Sequence, residues 1–263
     1  NGLMLTALAR AAAVVDEPRY LAAAERCADF LLEKLVVDGR LLATYGKGRA
    51  KLTAYATDYA FLIEGLIEIF QASGEFARLD QAERLLDGAV ARYWDAEGGG
   101  FFFTAADAER LLVRSKTVQD GATPSANSVM LGNLAKLAVL LDRPDYRGMA
   151  ERVLRLFGPD ALARPFQAER LLAYAEGVVH GFDEIVVVGD PADPAARALL
   201  AEVYRTYRPN KLVARLDPAA PAPDKPLYAG RTLVEGRPAA YVCRDFVCQR
   251  PAATAEELAA QLG

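Results

Sequence analysis

Residues 3–26, LMLTALARAAAVVDEPRYLAAAER, hold the pattern from which the rest of the chain can be read. Leu, Ala and Val fill 3–15 at helical spacing. Asp16-Glu17-Pro18 then ends the helix, because proline restricts the residue before it. Pro18 itself suits the first turn of a second helix, which runs to about Leu35. The same turn returns as Asp142-Arg143-Pro144-Asp145-Tyr146, matching Asp16-Glu17-Pro18-Arg19-Tyr20. Ala-Glu-Arg stands at 24–26, 82–84 and 150–152, each time early in the second helix of a pair; a fourth copy at 168–170 is off the pattern. Between these copies a third helix starts near Tyr55, with Phe61, Leu62, Leu66, Ile69 and Phe70 on a helical period. Ser73-Gly74 breaks it, and a fourth helix covers about 75–93. A fifth opens near Pro124 and runs to about Leu141, a sixth ends near Phe157, and a seventh spans about 165–179.

Loop lengths then set the architecture. Turns within pairs are about three residues long (16–18, 73–75, 142–144), while connections between pairs are long: an irregular stretch at 37–54 and another at 94–122. Long loops therefore emerge at one end of the array and short turns at the other, and loops of that length in a compact domain are usually functional. The expected fold class is mainly α: an incomplete (α/α) six-hairpin toroid of three and a half hairpins over 1–180. A small α/β appendage over 181–263 follows. Its signals are strands at 184–189, 211–215 and 239–243, helices at 194–207 and 255–262, and a proline-rich irregular segment at 217–226.

Composition narrows the function. Of 263 residues, 52% are hydrophobic and 25% charged, which excludes a disordered chain. Fifty Ala and thirty-five Leu favour helices. A net charge of −4 argues against a nucleic-acid partner. No apolar run reaches the roughly 18 residues of a membrane span, so no membrane partner is expected. Three cysteines make no disulfide framework, which fits a reducing cytoplasm. His180, the single histidine, stands at a helix end; it speaks against a two-histidine mechanism, and no metal or cofactor is expected. Asn1 leads straight into helical periodicity, so a piece cut from a longer chain is expected.

The openings of the inner helices sit at the long-loop face: Asn1, Thr57-Asp58-Tyr59, and Asp120-Gly121-Ala122-Thr123-Pro124-Ser125-Ala126-Asn127-Ser128. Carboxylates, hydroxyls and amides there suit sugar hydroxyls, with Tyr45, Tyr55, Tyr59, Trp94 and Phe101–Phe103 as an aromatic platform. Asp58 and Asp120 occupy matching positions on adjacent inner helices and are the candidate acid/base pair; both also have the look of plain N-caps. Asn1, Tyr59, Trp94, Phe102, Thr123, Ser125 and Asn127 are the candidate ligand contacts. Asn127, in a first turn where Asn is not favoured for its own sake, has a hydrogen-bonding task. Cys243 and Cys248 fit neither a zinc nor a two-residue redox spacing; buried thiols are the default, with a disulfide or redox pair as the alternative.

These segments together resemble the YyaL / spermatogenesis-associated thioredoxin-like family. The resemblance is carried by Asn1-Gly2-Leu3-Met4, Asp58-Tyr59-Ala60-Phe61-Leu62, Gly98-Gly99-Gly100-Phe101-Phe102-Phe103-Thr104, Asp120 to Ser128, and the Cys243/Cys248 spacing. It implies an N-terminal thioredoxin-like domain, absent here, then a six-hairpin barrel similar to N-acylglucosamine 2-epimerases and six-hairpin glycosidases, and a C-terminal appendage. The chain would be the C-terminal portion. The expected function is a carbohydrate-binding or carbohydrate-modifying barrel segment, glycosidase-like or sugar-isomerase-like if an enzyme. The alternative is a non-catalytic scaffold presenting the thioredoxin-like domain to protein clients. Partners expected are a sugar ligand, that missing domain and, through an open apolar edge, a second copy of the fragment.

Overall fold

The computed structural model describes residues 1–109 and 111–263. Helices α1 (Gly2–Val15) and α2 (Pro18–Leu35) form the first hairpin, α3 (Ala56–Ser73) and α4 (Phe76–Tyr93) the second, and α5 (Ala126–Leu140) and α6 (Pro144–Ala163) the third. Helix α7 (Glu169–His180) is the unpaired half. The repeated Asp-x-Pro turn has a physical basis. Asp16 and Asp142 both adopt the left-handed region (φ 51° and 54°), which Asp tolerates, and Pro18 and Pro144 open the next helix. The fold is mainly α, an arc of an (α/α) toroid. Helices α1, α3, α5 and α7 pack in succession as the inner layer, and α2, α4 and α6 back them.

Burial follows that division. Every residue of α5 is buried, as are Tyr59–Ala60 and Leu62–Ala72 of α3. The outer helices bury one stripe only: α2 hides Ala24, Ala28, Leu31 and Leu35. Inner helices approach closely where a side chain is missing. A Cβ on Gly132 would lie 2.5 Å from Cε2 of Tyr174, whose hydroxyl is tethered to Glu64. Gly132→Ala should therefore cost about 1–3 kcal/mol by overpacking, measured by urea unfolding. An unchanged midpoint would mean that α7 yields freely.

Two expectations need correction. The stretch 37–54 is not irregular: β1 (Val36–Val37), β2 (Arg40–Gly46) and β3 (Arg49–Thr53) form an antiparallel meander. Asp38-Gly39 and Lys47-Gly48 both carry positive φ at their two residues, the geometry of tight hairpin turns. Helix α6 also passes Phe157 and Pro159 to reach Ala163, with Phe157 and Ala161 buried on one face.

The C-terminal unit is a sheet of order β5-β4-β6-β7, made of β4 (Asp183–Val188), β5 (Lys211–Leu216), β6 (Ala239–Arg244) and β7 (Val247–Cys248). Helix α8 (Pro194–Arg205) links the parallel pair β4 and β5, and α9 (Ala255–Leu262) packs beside it. Alternate residues face opposite layers. Ile185, Val187, Val213, Ala240 and Val242 meet Leu199, Val203 and Leu258 of the two helices. Val186, Val188, Leu212, Ala214, Leu216 and Ala239 join the core of the helical arc. The edge strand β5 docks on the short-turn end, where Val213 N–H donates to Gln71 Oε1 at 3.0 Å.

Candidate functional site

The structure gives most of the candidate residues near the starts of α3 and α5 backbone partners. Asp58 Oδ2 accepts the Tyr55 N–H at 2.7 Å, capping α3. Burial pushes the Asp58 carboxyl up, against that hydrogen bond and the nearby amino group of Asn1. Asp120 has both oxygens engaged: Oδ1 accepts from Ser125 N–H at 2.8 Å and Oδ2 from Arg170 N–H at 2.9 Å, so it laces the starts of α5 and α7 together. Ser125 is the N-cap of α5, its Oγ accepting from Ser128 N–H at 3.1 Å. Thr123 is exposed, and its carbonyl accepts the Gly121 N–H.

Asn127 performs a hydrogen-bonding task, directed at the chain itself. Its Oδ1 accepts from Phe101 N–H at 2.7 Å, and its Nδ2 donates to the carbonyls of Phe101 and Thr117, each at 3.0 Å. It therefore pins the long loop to α5. Tyr59 is fully buried, its hydroxyl accepting from Leu41 N–H at 2.9 Å. Three successive rings divide their work. Phe101 is buried edge-on to Trp94, half-buried Phe102 lies under Arg114 (4.1 Å) and Lys116, and Phe103 is exposed. Phe103 stacks on exposed Tyr55 with centroids 4.6 Å apart and planes 14° from parallel. Half-buried Trp94 carries Arg152 over its ring.

Cys243 and Cys248 are joined as a disulfide, which corrects the default expectation of two separate thiols. Asp245 and Phe246 both turn in the left-handed region, and the resulting β6–β7 hairpin sets Cys243 directly opposite Cys248. Spacing alone could not show this, because the pairing depends on where the turn falls.

A second constellation lies deeper, on the faces of α1, α3, α5 and α7. Glu68 is bound by Lys136 Nζ at 2.5 Å and Arg10 Nη2 at 2.9 Å. Glu64, 1% exposed at its side chain, receives Arg170 Nη2 and the Tyr174 hydroxyl on Oε1, with Arg10 Nη2 3.5 Å away. Burial works to raise the Glu68 carboxyl, but Lys136 and Arg10 outweigh it and hold the carboxyl far below the usual range. Burial likewise opposes charge on Lys136, and Glu68 reverses that. Asn133 Nδ2 donates to the Ala60 carbonyl at 2.9 Å, tying α5 to α3. This cluster is not among the candidates that the sequence pattern singles out, although its signal is present there. Glu64 and Glu68 stand four apart in an apolar helix, and Lys136 is the one charge in α5; charges on helices buried all round must find each other.

Fold and site together define a helical-hairpin barrel segment with a polar, aromatic mouth and a charged inner face, closed at its other end by an α/β unit. The chain is 31% identical to human spermatogenesis-associated protein 20 over 95% of its own length. It is similar to one segment of that protein. The rat protein of that name matches equally, and an uncharacterised protein of Caenorhabditis elegans is 29% identical over 98% of the chain. The chain spans about a third of the length of these curated relatives. Among solved structures it is similar to cellobiose 2-epimerase from Spirochaeta thermophila (20% identity, TM-score 0.48, covering 59% of this chain and 41% of that one). It is also similar to cellobiose 2-epimerase from Bacillus thermoamylovorans (17%, TM-score 0.49, covering 59% and 42%). No family model matches. No helix among the described residues is long and apolar enough to cross a membrane.

Proposed function

We propose that this chain is a carbohydrate-binding or carbohydrate-modifying barrel segment whose ligand sits at the long-loop mouth. The observation that carries the reading is the stacked Tyr55–Phe103 pair, two large rings left exposed beside the half-buried Asp58 carboxyl. Exposed aromatic faces next to a fixed polar group suit the apolar C–H face and the hydroxyl edge of a pyranose. Asp58, its carboxyl held up by burial, is the acid/base group of the modifying reading. Asp120, with both oxygens bonded, acts by positioning Arg170.

The test is saturation-transfer NMR with glucose, mannose and their β-1,4-linked disaccharides. Tyr55→Ala and Phe103→Ala should each weaken binding about tenfold, the equivalent of ~1.4 kcal/mol, without shifting the unfolding midpoint. Asp58→Asn should leave binding in place and remove any turnover. Absence of saturable binding, or binding indifferent to both ring deletions, overturns the proposal.

A further inference from the structure

Arg10 and Arg170 come from the two end helices of the arc, α1 and α7, and converge on one oxygen of Glu64. Their side chains are 41% and 27% exposed, against 1% for the Glu64 side chain they share. Charges in the cluster do not balance: Arg10, Lys136 and Arg170 face Glu64 and Glu68, leaving one positive charge over. Polar capacity is left over as well. Arg170 Nε, Glu64 Oε2 and Asn133 Oδ1 are buried with no hydrogen-bond partner among the described residues. Among the described residues, the side-chain hydrogen bonds of Arg10 and Arg170 use only Nη2 of each guanidinium, which has five donors.

A network that served packing alone would need no third cation and would gain little from two half-open arginines. Paired guanidinium groups with spare forks are the usual receptor for a carboxylate or phosphate. Glu64 lies six residues below Asp58 on α3, about 9 Å along the helix axis, a distance that a disaccharide-sized ligand spans. We propose that Arg10 and Arg170 clamp the anionic group of an acidic sugar, a uronic acid or a sugar phosphate. This rests on the carbohydrate reading and names its substrate class. Glu64 and the Tyr174 hydroxyl beneath the clamp hold the two guanidinium groups in register and offer polar atoms to the adjoining ring.

Calorimetric titration of the chain with glucose, glucuronate, glucose 6-phosphate and inorganic phosphate tests this. Glucuronate or glucose 6-phosphate should bind at least tenfold tighter than glucose, and the advantage should shrink as salt is raised from 50 to 300 mM, because the arginines are partly exposed. Which of the two acidic sugars binds tells carboxylate from phosphate. Arg10→Gln should reduce the acidic sugar to the affinity of glucose, and Arg10→Lys should restore part of the difference. Since Arg10 is the more exposed partner, circular dichroism should show both variants folded. Should Arg10→Gln unfold the chain, Arg170→Gln replaces it with the same expectation. Acidic sugars binding no better than glucose, with glucose still bound, overturn the clamp and leave the mouth site standing. Inorganic phosphate binding as tightly as glucose 6-phosphate also overturns it, since no sugar is then recognised. If no sugar of either kind binds, the carbohydrate reading itself falls.

Discussion

Lys136→Met should lower the unfolding free energy by about 3–5 kcal/mol at pH 7, the usual cost of stripping one partner from a buried ion pair. Lys136 and Glu68 are 6% and 8% exposed at their side chains and meet at 2.5 Å, with Arg10 as the second cation on Glu68. Without Lys136 the carboxylate stays buried on a single, half-exposed arginine. Against a total stability of about 5–15 kcal/mol for a domain, the loss is large, and urea unfolding followed by circular dichroism measures it. The double variant Lys136→Met/Glu68→Leu should recover most of it, since apolar replacement of a whole buried pair is often neutral.

The pair also fixes a pH window. Glu68 has a folded pKa below its ordinary 4.5, so its contribution is full above that value and is lost as pH falls toward the folded one. Lys136 has a folded pKa above its ordinary 10.5, so its contribution is full below 10.5 and is lost as pH rises through the folded value. Stability from this pair is thus flat between about pH 5 and 10. In Lys136→Met the acid limb should move to higher pH, because the Glu68 carboxyl has lost one of the two cations that hold it down. An acid limb unchanged in midpoint would show that Arg10 alone holds the charge.

Asn127→Leu should cost about 3 kcal/mol, because it strands the N–H and carbonyl of buried Phe101 and the carbonyl of Thr117. The variant differs from a simple core defect in what it frees. Phe101 pairs with Trp94 across the loop, and Trp94 is the one tryptophan of the chain. Its emission should shift to the red in the folded variant as the 95–119 loop lifts from α5. A destabilised variant with native emission would place the loop's anchor elsewhere, on the Lys116–Asp95 bridge of 2.6 Å.

Much of the fold was legible because it depends on short-range rules. The Asp-x-Pro turns, the apolar period of the inner helices and the contrast of three-residue turns with long connections follow from backbone sterics and burial, and the hairpin array appears where they put it. The meander at 36–53 was readable in principle from Asp38-Gly39 and Lys47-Gly48, but the short polar strands between them carry little apolar alternation. Asn127 illustrates the divide within the site. Its position in a helix's first turn announces a hydrogen-bonding duty, whereas its partners lie 26 and 10 residues away and only the folded loop supplies them.

The charged residues divide in the same way. That Glu64, Glu68 and Lys136 sit on apolar helices is written in the sequence, and burial obliges them to pair. Which of them meet, and that Arg10 and Arg170 arrive from opposite ends of the arc to share one Glu64 oxygen, depends on helix packing across as many as 106 residues of chain. The disulfide is a smaller case, since spacing left several states open until the turn at Asp245-Phe246 set the register. Periodicity, caps and turn chemistry are local, so the sequence by itself determined a mainly helical hairpin array with an α/β unit after it. Convergence of distant side chains is not local, so the inner charged face, the exposed ring pair and the docking of β5 on α3 were decided by the tertiary structure.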